Sequence, residues 1–153
     1  MPGAFLWDDK VASALSIISL GVAPPAGMPV SNLIDPQPRM RTRFVANTAA
    51  ILVDFGTTTP IEAVAVISTT LSSAATIRWQ QGDTVGAYSF DTTTLSADTG
   101  DSAGGNAILL NSAGAPGRYM RIDITDASAS QIDIGRLVAG AVLRLTISSM
   151  KRR

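Results

Sequence analysis

The chain has no cysteine, no histidine and a single glutamate, Glu62, in 153 residues. Without cysteine there is neither a disulfide nor a thiolate metal site, which fits assembly in a reducing cytoplasm. Without histidine the commonest general base and the commonest transition-metal ligand are gone, and a Ser-His-Asp triad is excluded. With Glu62 alone, any catalytic carboxylate pair has to be built from two aspartates. Charge is scarce too: charged residues make up 16% of the chain and formally cancel, against about 25% in an average domain. A chain of zero net charge has no electrostatic drive toward nucleic acid or an anionic membrane. Its one basic cluster, Lys151-Arg152-Arg153, reads as a solvated tail.

What is present is apolar and small. Mean hydropathy is +0.25, and a weakly charged surface favours association over colloidal solubility. That points to a surface largely covered by other subunits; the alternative is that alanine alone raises the figure. At this length the chain makes about one domain with a real core. The apolar run Val11 to Ala23 is broken by Ser13, Ser16 and Ser19 and preceded by Asp8 and Asp9. It is too short to span a bilayer, and a start without a leader is expected. Val11, Ser13, Leu15, Ile17 and Ser19 can line one face of a strand; an Ala-rich helical start is the alternative. The division expected is an N-terminal strand or arm over 1–29 and a β-sandwich over 30–153, within a single domain.

Strands and turns alternate along the rest. Gly21 to Met28 is a Pro/Gly loop, and Pro36 and Pro38 prevent regular pairing near Asn32. Arg41 to Ala46 predicts an edge strand. Ala50 to Phe55 predicts a strand ending at Gly56, and Thr57 to Pro60 a turn into a central strand from Ile61 to Ser68. Thr76 to Gln80 places Ile77 and Trp79 on one face and Arg78 on the other. Gly82 to Gly117 is polar and Gly-rich, with Tyr88 to Phe90 and Ile108 to Leu110 as its only strand fragments, so it predicts a long surface excursion. The clearest period of two puts Tyr119, Arg121 and Asp123 on one side and Met120, Ile122 and Ile124 on the other. Ile132 to Val138 and Ala141 to Ile147 close the domain. These patterns predict an all-β, antiparallel β-sandwich with long loops.

Three motifs occur in order: Asn32-Leu33-Ile34-Asp35-Pro36, Val53-Asp54-Phe55-Gly56, and Ile134-Gly135-Arg136-Leu137-Val138-Ala139-Gly140. With Arg43, Arg118 and Arg121 they resemble the discoidin-like (F5/8 type C) jelly roll. The version they resemble occurs in tail and other virion proteins of tailed bacteriophages. The resemblance covers roughly residues 30–140, and it departs from the family in showing no evident binding-loop aromatics. It implies a structural motif made of Asn32, Asp35, Arg43, Asp54, Gly56, Arg118, Arg121, Gly135 and Arg136.

The residues themselves carry simple roles. Asp54 at a strand end can accept from turn amides, and Gly56 can take positive φ. Arg43, Arg118 and Arg121 can pair with Asp54, Asp123 or Asp35 through bidentate bonds. Trp7 and Trp79 are ligand or subunit-interface candidates, with core packing as the alternative. Asp98 and Asp101, with Asp83 or Asp91, have oxygen ligands suited to calcium, but their spacing matches no calcium loop and reads as a polar loop. Gly100, Gly104 and Gly105 form no phosphate cradle, since no Lys-Ser/Thr follows. No catalytic residue, metal or cofactor is expected.

The resemblance implies a structural virion component: a tail, tail-tip, neck or decoration protein assembled in the host cytoplasm. Its partners would be copies of itself and other virion proteins, with no nucleic acid and no membrane insertion. The alternative is a carbohydrate-binding adhesion module for host surface glycans, using the Gly82–Gly117 excursion or the Gly21–Met28 loop.

Overall fold

The residues with the strictest alternation are the ones that build the core. The computed structural model describes residues 4–37, 40–95, 100–101 and 105–144. Within it Met120, Ile122 and Ile124 are buried on one side of their strand, beside Ile77 and Trp79 of the neighbouring one. A strand presents successive side chains to opposite faces, so an apolar residue at every second position needs only one covered face.

The described residues form ten strands: β1 Ala4–Trp7, β2 Ser16–Ser19, β3 Thr42–Phe44, β4 Thr48–Ile67, β5 Thr76–Gly82, β6 Phe90–Leu95, β7 Gly100–Asp101, β8 Asn106–Thr125, β9 Ile132–Ile134 and β10 Arg136–Arg144. A short 3-10 turn, Val30–Ile34, precedes β3 and buries Leu33. All pairings are antiparallel, and the fold is an antiparallel β-sandwich. Strands β4 and β8 run alongside each other and belong to both layers. The first half of β4 and the second half of β8 join β2, β5 and β6 in one layer. Their other halves join β10, β1 and β7 in the second. Strands β3 and β9 form a separate pair.

The crossing between layers is written in the sequence. Pro60 of β4 lies opposite Pro116 of β8, and neither has an N–H for the ladder. The register slips on both sides of this point. Phe55 to Thr58 stand against Arg118 alone, and Asn111 to Gly114 against Glu62 alone. Bulges of this kind bend a strand and let it change sheets. Gly56 (φ +79°) and Gly114 (φ +72°) take the left-handed conformations that the two bulges need.

One buried amide ties the crossing together from the side. Gln81 Nε2 donates to the carbonyls of Thr59 (2.9 Å) and Gly117 (3.3 Å), and its Oε1 accepts from Trp79 Nε1 (3.2 Å). Strands pack closely here, since a Cβ on Gly117 would lie 2.5 Å from the backbone nitrogen of Gly82.

Several expectations change. Residues 57–60 are no turn between two strands but the bend of one. Much of the stretch from Gly82 to Gly117 is strand, in β6 and the first half of β8, rather than a surface excursion. The start of the chain belongs to the same body. Val11 is fully buried, β2 pairs with β4, and β1 pairs with β10. Only Ser16 to Ser19 of the proposed early strand is extended; Val11 and Ser13 lie in the preceding loop.

Gln81→Leu keeps the volume and removes all three bonds. It should lower unfolding stability in urea by about 3 kcal/mol or more, since three groups lose a partner and each orphaned buried group costs roughly 1–3. Thr93→Ala on an exposed strand position should stay within about 0.5. Equal losses in the two variants would show that the crossing is not the weak point.

Candidate functional site

The bend in β4 is also the wall of the larger described cleft. The cleft has a volume of about 410 Å³ and is lined by Lys10, Ser13, Phe55, Thr57, Thr58, Thr59 and Pro60. One side comes from the bulge; the other comes from the loop between β1 and β2.

Each wall is held by charged groups. On the bulge side, Asp54 Oδ1 accepts from the Gly56 N–H at 2.7 Å, and Arg118 grips both oxygens of Asp54 at 2.8 and 2.9 Å. The Arg118 guanidinium also lies 5.0 Å from the centre of the Tyr119 ring. Asp83 Oδ1 accepts from the Thr58 hydroxyl (2.6 Å) and from the Arg118 N–H (3.0 Å), so the β5–β6 turn props the bulge. On the loop side, Arg136 donates to Asp9 Oδ2 at 2.8 Å, and Asp9 Oδ1 accepts from the N–H groups of Val11 and Ala139. The Lys10 N–H donates to the Ala139 carbonyl at 2.7 Å. With Val11 locked in the core, Lys10 and Ser13 are carried to the cleft. The Lys10 ammonium pairs with Asp8.

Four of the motif residues therefore serve one place: Asp54, Gly56 and Arg118 hold the bulge, and Arg136 holds the loop. The other motif residues work elsewhere. Asn32 Nδ2 donates to the Arg41 carbonyl at 2.9 Å, and Asp35 Oδ1 accepts from the Gln37 N–H at 2.7 Å. Arg43 makes a bidentate pair with Asp133, both bonds 2.7 Å, joining β3 to β9. The Gly135 N–H donates to the carbonyls of Ile67 and Ser68 where β9 gives way to β10. Arg121 pairs with Asp123 at 2.9 Å on the outer face of the first layer.

Of the pairings open to Arg43, Arg118 and Arg121, Arg118–Asp54 and Arg121–Asp123 form. Arg43 instead takes Asp133, a residue the sequence had not singled out, and Asp35 serves a turn. Trp79 is fully buried, tilted against Phe90 at 4.7 Å and bonded to Gln81; as a ligand contact it is replaced by a core role. The backbone of Trp7 pairs with Ala141 in β1, and its side chain lies outside the described residues. Asp98 of the region read as a polar loop is also outside them; among the described residues no group of three or more acidic side chains could hold a metal. Missed entirely were Phe55 and the threonines after it. The signal was an aromatic, Phe55, followed after Gly56 by three threonines before Pro60.

A second, smaller cleft of about 320 Å³ opens at the far end of the same layer. Leu20, Val22 and Ala50 give it an apolar side; Thr48, Thr125, Arg121 and Asp123 give it a polar one.

The carboxylates are tuned by their partners. The Arg43 guanidinium holds the buried Asp133 below the usual aspartate range, and Arg118 does the same for Asp54. Burial alone would raise Asp126, but bonds from Ser72 and Ser128 outweigh it and leave it low.

No protein-family model matches this sequence, and no curated protein matches it. Solved structures do match in fold. The chain is similar to chitosan-binding module 1 of a chitosanase/glucanase from Paenibacillus sp. IK-5, with TM-score 0.66 and 17% identity over 88% of this chain and 100% of that one. It is similar to CpGH89CBM32-5 from Clostridium perfringens, solved with GalNAc-β-1,3-galactose, with TM-score 0.69 and 8% identity over 88% and 100%. It is also similar to a fucose-binding module of Streptococcus pneumoniae, with TM-score 0.65 and 11% identity over 88% and 98%. At such identities the likeness establishes a discoidin-like jelly roll.

Four low-lying aspartates, Asp54, Asp91, Asp126 and Asp133, set the pH response. A carboxylate whose folded pKa is depressed stabilises the fold above its ordinary value and loses that contribution as pH falls through the folded one. With no histidine to titrate, the melting temperature should be nearly flat from pH 7 to 5 and fall below about pH 4. Asp133→Asn should melt lower at pH 7 and fall less steeply in acid. A decline between pH 7 and 5 would assign the response to other groups.

Proposed function

We propose that this chain is a non-catalytic carbohydrate-binding module whose primary site is the cleft at the bend of β4. The observation that carries the reading is the lining of that cleft. A pyranose has apolar C–H faces and a rim of hydroxyls. The cleft sets Phe55 and Pro60 beside the hydroxyls of Ser13, Thr57, Thr58 and Thr59, with Lys10 at one side. Sites that fix a small polar ligand combine apolar walls with a few placed polar groups in this way. Rigidity supports the reading as well: the bulge and the loop are clamped before any ligand arrives, so little ordering cost falls on binding.

The comparisons support the same reading, since the similar modules named above bind chitosan and fucose or were solved with a disaccharide by their own descriptions. The virion setting and assembly with other virion proteins rest on the sequence motifs alone. Glycan binding replaces assembly as the main function proposed here, and a virion-borne module touching host glycans would be compatible with both.

A glycan array on the purified chain, followed by calorimetry with the best ligand, tests the proposal. Phe55→Ala and the exposed Thr57→Ala should each weaken binding, Phe55→Ala by about tenfold or more, equivalent to about 1.4 kcal/mol. Circular dichroism would confirm that both variants keep the fold. A chain that binds no glycan, or two folded variants that bind like the parent, would overturn the assignment.

A further inference from the structure

The two clefts lie at the two ends of the first half of β4, one at Phe55 to Pro60 and the other at Thr48 to Ala50. The outward positions between them fall in ordered rows, in which Leu52 and Gln80 are nearly covered and the charged groups more open. Asp54, Tyr119 and Gly82 share a row across β4, β8 and β5. The next row holds Leu52, Arg121, Gln80 and Asp91, and the third holds Ala50, Asp123, Arg78 and Thr93. Two arginines and two aspartates in the second and third rows cancel in charge. They are already fixed in position: Arg78 grips Asp91 through two bonds, Gln80 Nε2 donates to Asp91 at 3.1 Å, and Arg121 Nε donates to Asp123 at 2.9 Å.

The Arg121–Asp123 pair holds one guanidinium nitrogen and one carboxylate oxygen in its bond. Arginine has further N–H donors and aspartate a second oxygen, and both residues line the smaller cleft. A donor and an acceptor side by side suit neighbouring hydroxyls of a sugar. At the other end the Arg118 guanidinium ties Asp54, next in sequence to Phe55 of the larger cleft, to the Tyr119 ring. From Asp54 to Thr48 the strand advances about 20 Å, at about 3.4 Å per residue. That is the reach of several linked sugars rather than one.

We infer that the ligand is an extended, neutral oligosaccharide that runs along β8 from the cleft at Phe55, over Tyr119 and Arg121, into the cleft at Thr48 and Thr125. The inference rests on the carbohydrate-binding reading and adds chain length and charge to it. Neutrality follows from the balance of the face: an anionic polymer would meet Asp54, Asp91 and Asp123 as often as it met arginine. A fixed array of donors and acceptors also binds without losing side-chain freedom, which favours many weak contacts in series.

The test is calorimetry with gluco-, manno- and galacto-oligosaccharides from one sugar to six, and with oligogalacturonates of the same lengths. In at least one neutral series affinity should climb by about tenfold or more from one sugar to four, as one added charge-assisted hydrogen bond provides. Arg121→Ala should abolish that gain while leaving monosaccharide affinity within about twofold; at 35% side-chain exposure the substitution should not disturb folding. Equal affinity for one and four sugars would overturn the extended site and leave the primary cleft standing. A length gain that survives both Arg121→Ala and Tyr119→Ala would also overturn it. Uronates that bind as well as neutral chains would overturn neutrality, and no binding at any length would overturn this inference together with the reading beneath it.

Discussion

The structure depends on how two long strands are allowed to leave one sheet and enter another. At the crossing the pairing of β4 with β8 shrinks to Thr59–Ile61 against Ala115–Gly117, with a register break on either side and no N–H from Pro60 or Pro116 at its centre. Buried backbone groups left there without partners would each cost about 1–3 kcal/mol, a large part of a domain's margin of about 5–15. The carboxamide of Gln81 supplies what the ladder lacks, donating to Thr59 and Gly117 at once. Asp54 and Asp83 supply the rest through Gly56, Thr58 and Arg118. The cleft exists because the bulge stands away from β8, and it keeps its shape because these side chains leave the bulge no alternative.

Long-range ties elsewhere follow a similar logic without any disulfide. Arg43–Asp133, Arg118–Asp54 and Arg136–Asp9 join residues 90, 64 and 127 positions apart. Their weights differ with burial. Asp133 is 4% exposed, so removal of Arg43 would strand a carboxylate away from water, a heavy penalty whatever the net worth of the intact pair. Arg78–Asp91 is exposed on both sides and falls among the surface pairs worth about 0–1 kcal/mol. Its value lies in fixing where two side chains point.

How much of this was legible depended on whether a segment's partners were close in kind. Residues 118–124 and 76–80 were legible because one of their faces meets water and the other meets the core. The first half of β8 was not. Ala107 and Leu109 face inward while Ile108 and Leu110 stand exposed, so no alternation marks a strand there, and the glycines around it read as loop. The motif Val53-Asp54-Phe55-Gly56 drew attention to the right place, but to Asp54 and Gly56, which support the cleft, rather than to Phe55, which lines it with the threonines beyond. Lys10 and Ser13 reach the cleft only through the Asp9–Arg136 tie and the burial of Val11. Contacts made across more than a hundred residues leave no trace in local periodicity. Trp79 was the reverse case: its alternation with Ile77 already placed it inward, and its size invited a ligand role that burial excludes.

The shortage of charge noted in the composition takes a definite form in space. The outer face of the second layer carries Ala63, Ala65 and Val138, all nearly covered, with Ile108 and Leu110 exposed beside them. The outer face of the first layer carries arginines, aspartates and a glutamine in paired rows. Six ion pairs among the described residues engage Lys10 and five of the arginines, so few cations there remain to attract a charged partner at a distance. Electrostatic steering therefore contributes little. Under the carbohydrate-binding reading, recognition comes from hydrogen-bonding groups fixed in position at short range, which is the kind of recognition a neutral, hydroxyl-rich ligand requires.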